Sequence, residues 1–468
     1  MLKVKNIMNK NSIVKGFASL FISLIIVLSV CIPAFADNGT IVININEYKF
    51  VIDDDTAHEE KYDARNENII TAPKYQPGPD CWVYAGVSAI ETDAVKSGLS
   101  DKNIDLSENF ITYFAAGQKG GDTCSEAGGD TQRFCTVAAA CNVFANESDF
   151  PASYKFSEED RFKGTSGLGI GEKRTLYTLG AVKDWIKEHG SAVLTVGSLT
   201  GLNSEYIYHD TKSDKETAHA VCIIGWDDTY SFEGFNDSVP GPGAFIIKNS
   251  YGTEWGTGGY GYVSYYDASI SDISGLTAKR MDENEVTYTY NQTSFSGPVV
   301  STGKKTTVNA YKINQDGKID SYTFTVSSKN VTVSTQLIIN GEEKFSTSAN
   351  TYTDTGLFRI NVEDIAVKTD DIVEIAVTYS SNSMYLLYME NNGNSVNYSH
   401  NPGESYYKNA NGETTPAAGN FFINLNVVEE NNEVDNCAAG NFFATFFSAI
   451  ANFFNNIVNF FKEVFNVG

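Results

Sequence analysis

The stretch Gln76–Glu91, QPGPDCWVYAGVSAIE, sets the reading of the chain. Pro77 and Pro79 resist helix. From Cys81 the residues turn helix-compatible, so the sequence predicts a helix from Cys81 to about Ser97, with Asp80 at its N-cap and Gly98 at its stop. A thiol in the first helical turn feels the positive end of the helix dipole and ionises more easily, although a carboxylate at Asp80 opposes it unless turned into the cap hydrogen bond. Two later stretches complete a pattern. In AHAVCIIGWD, 218–227, His219 follows the polar run TKSDKETA and opens an apolar run, the position of a strand start facing a cleft. In GAFIIKNSYGTEWGTGGYGYVSY, 243–265, Asn249 follows the strand-like AFIIK. Alone, a cysteine is commonly an inert packing residue and a histidine before a strand a core residue. In this order, a thiol, an imidazole to deprotonate it and an amide to orient the imidazole are the parts of nucleophilic acyl chemistry.

These three segments resemble the nucleophile, histidine and asparagine segments of papain-like cysteine peptidases. The resemblance extends to LSENF at 106–110, CSEAGGD at 124–130 and AVKDWIKEHGSAVLTVGS at 181–198, and covers about residues 62 to 275. It implies Cys81 as nucleophile with a thiol pKa well below the ordinary range, His219 as base and acid, and Asn249 as orienting residue. Gln76 would donate to the oxyanion together with the Cys81 N–H. The family separates that glutamine from the cysteine by five residues, whereas here Pro77, Gly78, Pro79 and Asp80 make four. Gly128 and Gly129 match the pair along which a substrate backbone lies as an added strand. Tyr251 stands where the family has a tryptophan shielding the His–Asn bond, and Trp255 keeps the later aromatic position. The implied substrate is a polypeptide cut internally, with no cofactor. A disulfide common in relatives is missing one partner, since Gly78 stands three positions before Cys81.

The chain of 468 residues exceeds one domain on the usual scale of about 100 to 200 residues. Residues 1–36 carry Lys3, Lys5, Lys10 and Lys15, an apolar run from Phe17 to Ile32 and Ala34-Phe35-Ala36, the form of a secretory signal. The expectation is a secreted or cell-surface protein. The charge, 34 Lys and Arg against 58 Asp and Glu, disfavours nucleic acid and anionic membrane as partners. Five histidines and no paired ligands at zinc spacing predict no metal site. Beyond Cys81, the mature chain has Cys124, Cys135, Cys141, Cys222 and Cys437. The middle group, 124, 135 and 141, lies close enough in sequence to offer a pairing.

The predicted fold class is α+β: a papain-like two-lobed catalytic domain, an all-β sandwich and a C-terminal amphipathic helix. The divisions are a signal at 1–36, a short segment at 37–61 too brief for the usual helical inhibitory prosegment, a peptidase domain at 62–283, a β-sandwich at 284–428, a linker at 429–437 and a helical tail at 438–468. In the β region, SYTFTVSS, VTVSTQLII, FRINVEDI and IVEIAVTYS alternate and are divided by Gly, Asn and Asp turns, which suggests about eight strands. It resembles, more loosely, lectin-like domains attached to some bacterial papain-like peptidases, implying a glycan or cell-surface contact; Asn391 to Asn394 could hold a sugar or close a hairpin. In the tail, Phe443, Phe446, Ile450, Phe453, Ile457, Phe460 and Val464 form an a/d seam that self-associates, packs on its own domains or docks on a surface. The competing reading is a papain-fold adhesin or carbohydrate-binding surface protein with impaired catalysis.

Overall fold

The computed structural model describes residues 48–53, 57–115, 128–197, 206–207, 219–232, 239–291, 296–390, 401 and 403–430. The expected signal at 1–36, the tail at 438–468, Cys124, Cys437 and the loop Asn391 to Asn394 lie outside them.

Helix α1, Cys81–Lys96, is the central strut of the first half, and it is buried from Trp82 to Ala94 except at half-buried Tyr84. It needs no polar face because other elements surround it. The Asp80 carbonyl accepts from Val83 and Tyr84 N–H at 2.8 and 3.2 Å, and the helix stops where Gly98 takes φ +73°. Helix α2, Glu108–Ala115, places Phe110 and Phe114 in a ring cluster with Phe150 and Phe156. Each large side chain fully buried there contributes about 1.5–3 kcal/mol. Helix α3, Thr131–Cys141, begins on Asp130, whose side chain accepts from Arg133 N–H at 2.8 Å. It crosses α1 closely: a Cβ on Gly86 would stand 2.7 Å from the Phe134 ring. Helix α4, Leu179–His189, is capped by Thr178 and closed by Gly190 at φ +85°.

The first half also contributes strands β1 (Lys61–Asp63), β2 (Leu168–Thr175), β3 (Ala192–Val196), β4 (Tyr206–Ile207), β5 (His219–Asp227), β6 (Ala244–Lys248), β7 (Tyr260–Ser264) and β8 (Asp272–Arg280). Their order is β4-β7-β6-β5-β3-β8-β2, with β1 against β5. Every residue of β5 is buried, as its unbroken apolar run requires of a central strand.

The second half is all β. The strands Ser296–Lys312 and Ile372–Glu390 form a long antiparallel pair, with a register shift between Ser301 and Gly303, inside an eight-stranded sheet. The strands Glu285–Tyr288, Gly317–Val326, Gly356–Val367 and Ile423–Glu429 form the facing layer. Tyr311, Tyr322, Phe324, Leu337, Ile375 and Val377 fill the core between them. The facing layer is not a separate sheet. Gly356 pairs with Arg174 and Leu357 with Lys173, which joins it to β2 and makes one twelve-stranded sheet run through both halves. Nothing in the alternation of either segment announces that pairing.

Candidate active site

The site lies where the start of α1 meets the starts of β5 and of the loop after β6. Cys81 is the first residue of α1, and its Sγ accepts from the Ala220 N–H at 3.4 Å, against the first turn of β5. His219, the first residue of β5, is 5 % exposed, and its Nε2 lies 2.9 Å from Asn249 Oδ1. The same Oδ1 accepts from the Ser250 backbone N–H at 2.7 Å. A backbone N–H can only donate, so that atom of Asn249 is the oxygen. Nε2 of a neutral His219 is therefore the protonated nitrogen, and Nδ1 keeps its lone pair. Asn249 Nδ2 has no hydrogen-bond partner among the described residues, so the acceptor end alone orients the amide.

Tyr251 stacks on the His219 ring with centroids 4.9 Å apart and 29° between planes, and Trp255 meets Tyr251 edge-on at 6.5 Å. Two aromatic rings therefore stand on one side of the His219–Asn249 bond.

Gln76 is buried and doubly tethered. Its backbone N–H donates to the Ser250 carbonyl at 2.8 Å, and its Oε1 accepts from the Ser250 hydroxyl at 2.5 Å. Nε2 donates one hydrogen to the Gly78 carbonyl at 2.6 Å, which leaves the second N–H as the amide's remaining donor. The shortened Pro77–Asp80 loop thus spends half of the amide on itself. Ser250, which the sequence reading passed over, connects both polar arms of the site by accepting Gln76 and supporting Asn249. Its position next to Asn249 was the one available signal.

Two expectations are corrected. Asp80 precedes α1 but makes no side-chain cap hydrogen bond, and its Oδ1 has no partner among the described residues. Its φ of −107° and ψ of 20° lie outside the extended region from which a cap side chain reaches back over the first turn. Burial raises its pKa. The Cys81 thiol is likewise raised by burial, against the pull of the Ala220 and Trp82 N–H groups, rather than lowered. Burial lowers the His219 pKa, while the bond to Asn249 raises it. Water exclusion here favours the neutral thiol and neutral imidazole over either charge alone.

Gly128 and Gly129 lie exposed before α3. A Cβ on Gly129 would stand 2.4 Å from the Trp82 indole, so Gly129 is small because it crosses the residue after Cys81. Nothing lies within 4 Å of a Cβ on Gly128, which leaves that side open. Arg133 holds the pair by donating to the Gly128 carbonyl at 3.0 Å and to the Ala115 carbonyl, with its guanidinium 5.5 Å over Trp82. Cys135 and Cys222 are buried thiols outside any disulfide. No metal-ligating cluster occurs among the described residues, and no helix among them is long and apolar enough to cross a membrane.

Residues 58–274 match the family model described as papain family cysteine protease. Rat (Rattus norvegicus) cathepsin Q is 26% identical over 213 residues, which are 42% of this chain and 56% of that protein. A cysteine protease of Blomia tropicalis is 37% identical over 82 residues, 17% of this chain and 22% of that protein. The chain therefore spans about half, or less, of the length of these curated relatives. A solved structure of the cysteine protease and lectin-like domains of a surface layer associated protein of Clostridium difficile aligns with TM-score 0.67 at 19% identity, covering 80% of this chain and 89% of that one. That likeness is one of fold: a papain-like unit with a second β domain.

Proposed function

We propose that the papain-family domain matched over residues 58–274 is a cysteine endopeptidase whose working groups are Cys81, His219, Asn249 and Gln76. The observation that carries this reading is the fixed tautomer of His219, with Nε2–H on Asn249 Oδ1 at 2.9 Å and Nδ1 left as the base next to the strand start that touches the Cys81 sulfur. In this scheme His219 Nδ1 takes the Cys81 proton as the sulfur attacks the scissile carbonyl. The oxyanion accepts from the Cys81 N–H and the second Gln76 N–H. The imidazolium then protonates the leaving amine, which departs as the thioester forms. Water, deprotonated by the same nitrogen, hydrolyses the thioester and restores the thiol. Each buried charge is unfavourable alone, and forming thiolate and imidazolium together offsets part of that penalty.

The substrate is a polypeptide whose extended backbone runs beside Gly128 and Gly129, with half-buried Tyr251 as the aromatic face and buried Trp255 supporting it from behind. The leader-like residues 1–36 support secretion, and the fold likeness to a surface layer associated protein supports placement at the cell surface with a glycan or wall contact through the β domain. The apolar seam of 438–468 belongs with self-association or docking in that setting. Labelling with an epoxysuccinyl thiol probe, with intact-mass detection, tests the central reading. Wild type is expected to take up one equivalent and to cleave an unfolded protein substrate, and Cys81→Ala to do neither. Labelling that survives in Cys81→Ala would sink it.

A further inference from the structure

Between the two halves of the chain lies a cavity of about 280 Å³ that has no part in the scheme above. Tyr48, Asp130, Lys173, Tyr177 and Asp272 line it from the first half, and Thr355 and Tyr388 from the second. Lys173 is 7 % exposed, and its Nζ donates to Thr175 Oγ1 at 3.0 Å. No carboxylate lies within 4.0 Å of that ammonium among the described residues. A buried cation with two donors unspent favours an anion. The same cavity presents two carboxylates. Asp272 Oδ2 accepts from Ser274 and Thr131 hydroxyls at 2.6 and 3.3 Å, and Asp130 Oδ1 accepts the Arg133 N–H at 2.8 Å, none of which neutralises a charge. One cation and two carboxylates repel a ligand that is only anionic and leave Lys173 unmet by one that is only cationic. Tyr48 and Tyr177, stacked at 5.4 Å, form a wall for a short aliphatic part.

We propose that this cavity binds a zwitterion of amino-acid or dipeptide size, its carboxylate on Lys173 and its ammonium towards Asp130 and Asp272. Because the lining comes from both halves, the bound molecule bridges them. Asp130 directly follows Gly128 and Gly129, so the cavity adjoins the glycine pair in the chain. The binding itself uses no atom of Cys81, so it stands or falls apart from the peptidase reading.

The test is isothermal titration of the Cys81→Ala chain with dialanine, N-acetyl-dialanine, dialanine amide and, as a neutral hydroxylated control, glucose. Saturable binding of dialanine is expected, with each capped form weaker by about tenfold or more, the scale of a lost charge-assisted pair. Lys173→Met should weaken dialanine to the level of its amide, and Asp272→Asn should bring dialanine towards the N-acetyl form. Melting curves of both variants establish that they are folded, and Tyr388→Ala in the second half should also weaken binding if one variant fails that check. No dialanine binding at about 10 mM, far above the range of a specific site, overturns the proposal. So do equal affinities for capped and free forms, glucose binding as tight as dialanine, or affinity unchanged in folded Lys173→Met.

Discussion

His219 has one nitrogen bound to Asn249 and, in the proposed scheme, one left for proton transfer, with Tyr251 stacked on its ring and Trp255 edge-on to Tyr251. Replacing Asn249 with Ala removes both the acceptor of Nε2–H and the reason for that tautomer. The expected result is a fall in kcat/KM of about 10- to 100-fold with KM little changed, because in the proposed scheme the lost contact orients the base and touches no substrate. Steady-state kinetics on a peptide substrate check it; a rise in KM at constant kcat would assign Asn249 to binding instead. Ser250→Ala should act on one front alone, freeing Gln76 Oε1 while leaving the backbone bond to Asn249 in place. A drop in kcat smaller than that of Gln76→Ala would fit a residue that positions the amide rather than one that meets the oxyanion.

At the scale of elements, α1, α2, β6 and the segment Thr71–Lys74 are tied by an ion cluster beneath the site, buried at Glu91 and Glu108 and open at Asp105. Lys74 Nζ meets Glu91, Asp105 and Glu108 at 3.0, 2.7 and 2.9 Å, and Glu91 also accepts from the Thr71 hydroxyl at 2.6 Å and the Leu106 N–H at 2.9 Å. Lys248, one residue before Asn249, donates to Thr71 at 2.8 Å. Burial raises the Glu108 pKa to about 8, with Lys74 pulling it down and Glu91 pushing it up. Its ordinary value is 4.5, so the folded chain holds a proton that the unfolded chain has released between about 4.5 and about 8. The sign follows: this group's contribution to stability is fully present below 4.5, is lost as pH rises through that window, and changes no further above about 8. Glu108→Gln should flatten the decline of Tm across about pH 5 to 8, measured by calorimetry at several pH values, and an unchanged slope would count against it. Much of this level was legible in the sequence. The apolar run after His219 marked a strand start, and Pro77, Pro79 and Gly98 bracketed a helix. The carboxylates were not legible, because Glu91 and Glu108 read as ordinary helix residues until α1 and α2 bring them to Lys74. The loop tethers of Gln76 were equally hidden, since Ser250 is far away in sequence and adjacent only in space. Asp80 misled for a local reason: residue type suggested a cap, and the backbone angles at that position withhold it.

At the scale of the whole molecule, the joined sheet makes the β half more than an attachment. Only two residue pairs connect β2 to the strand Gly356–Val367, yet a side chain next to them reinforces the seam. Arg359 donates through one terminal nitrogen to Ser321 Oγ at 2.5 Å and Asn426 Oδ1 at 3.1 Å in the β half, and through the other to the Ile170 carbonyl at 2.9 Å in β2. Its backbone N–H donates to Glu172 at 3.2 Å, and the Arg174 guanidinium lies 4.1 Å over the Phe358 ring. Further along, Lys279 meets Glu285 at 2.5 Å and Asp320 at 3.2 Å. Such polar stitching, unlike a continuous apolar core, concentrates coupling in a few removable groups. Arg359→Met keeps the length and apolar body of the side chain and removes every guanidinium bond across the seam. A hydrogen bond to a charged group of this kind contributes about 1.5–3 kcal/mol. If the two halves unfold as one unit because of this seam, calorimetry should show one transition in wild type and two in Arg359→Met, the lower one displaced by several degrees. Arg359→Lys, which can keep a charge but not the forked geometry, should fall between them. A single transition of unchanged Tm in Arg359→Met would instead assign the coupling to the backbone pairs at Gly356 and Leu357. Gly356→Val is then the decisive variant, because a Cβ there would stand 2.0 Å from the Lys173 carbonyl and force the strands apart.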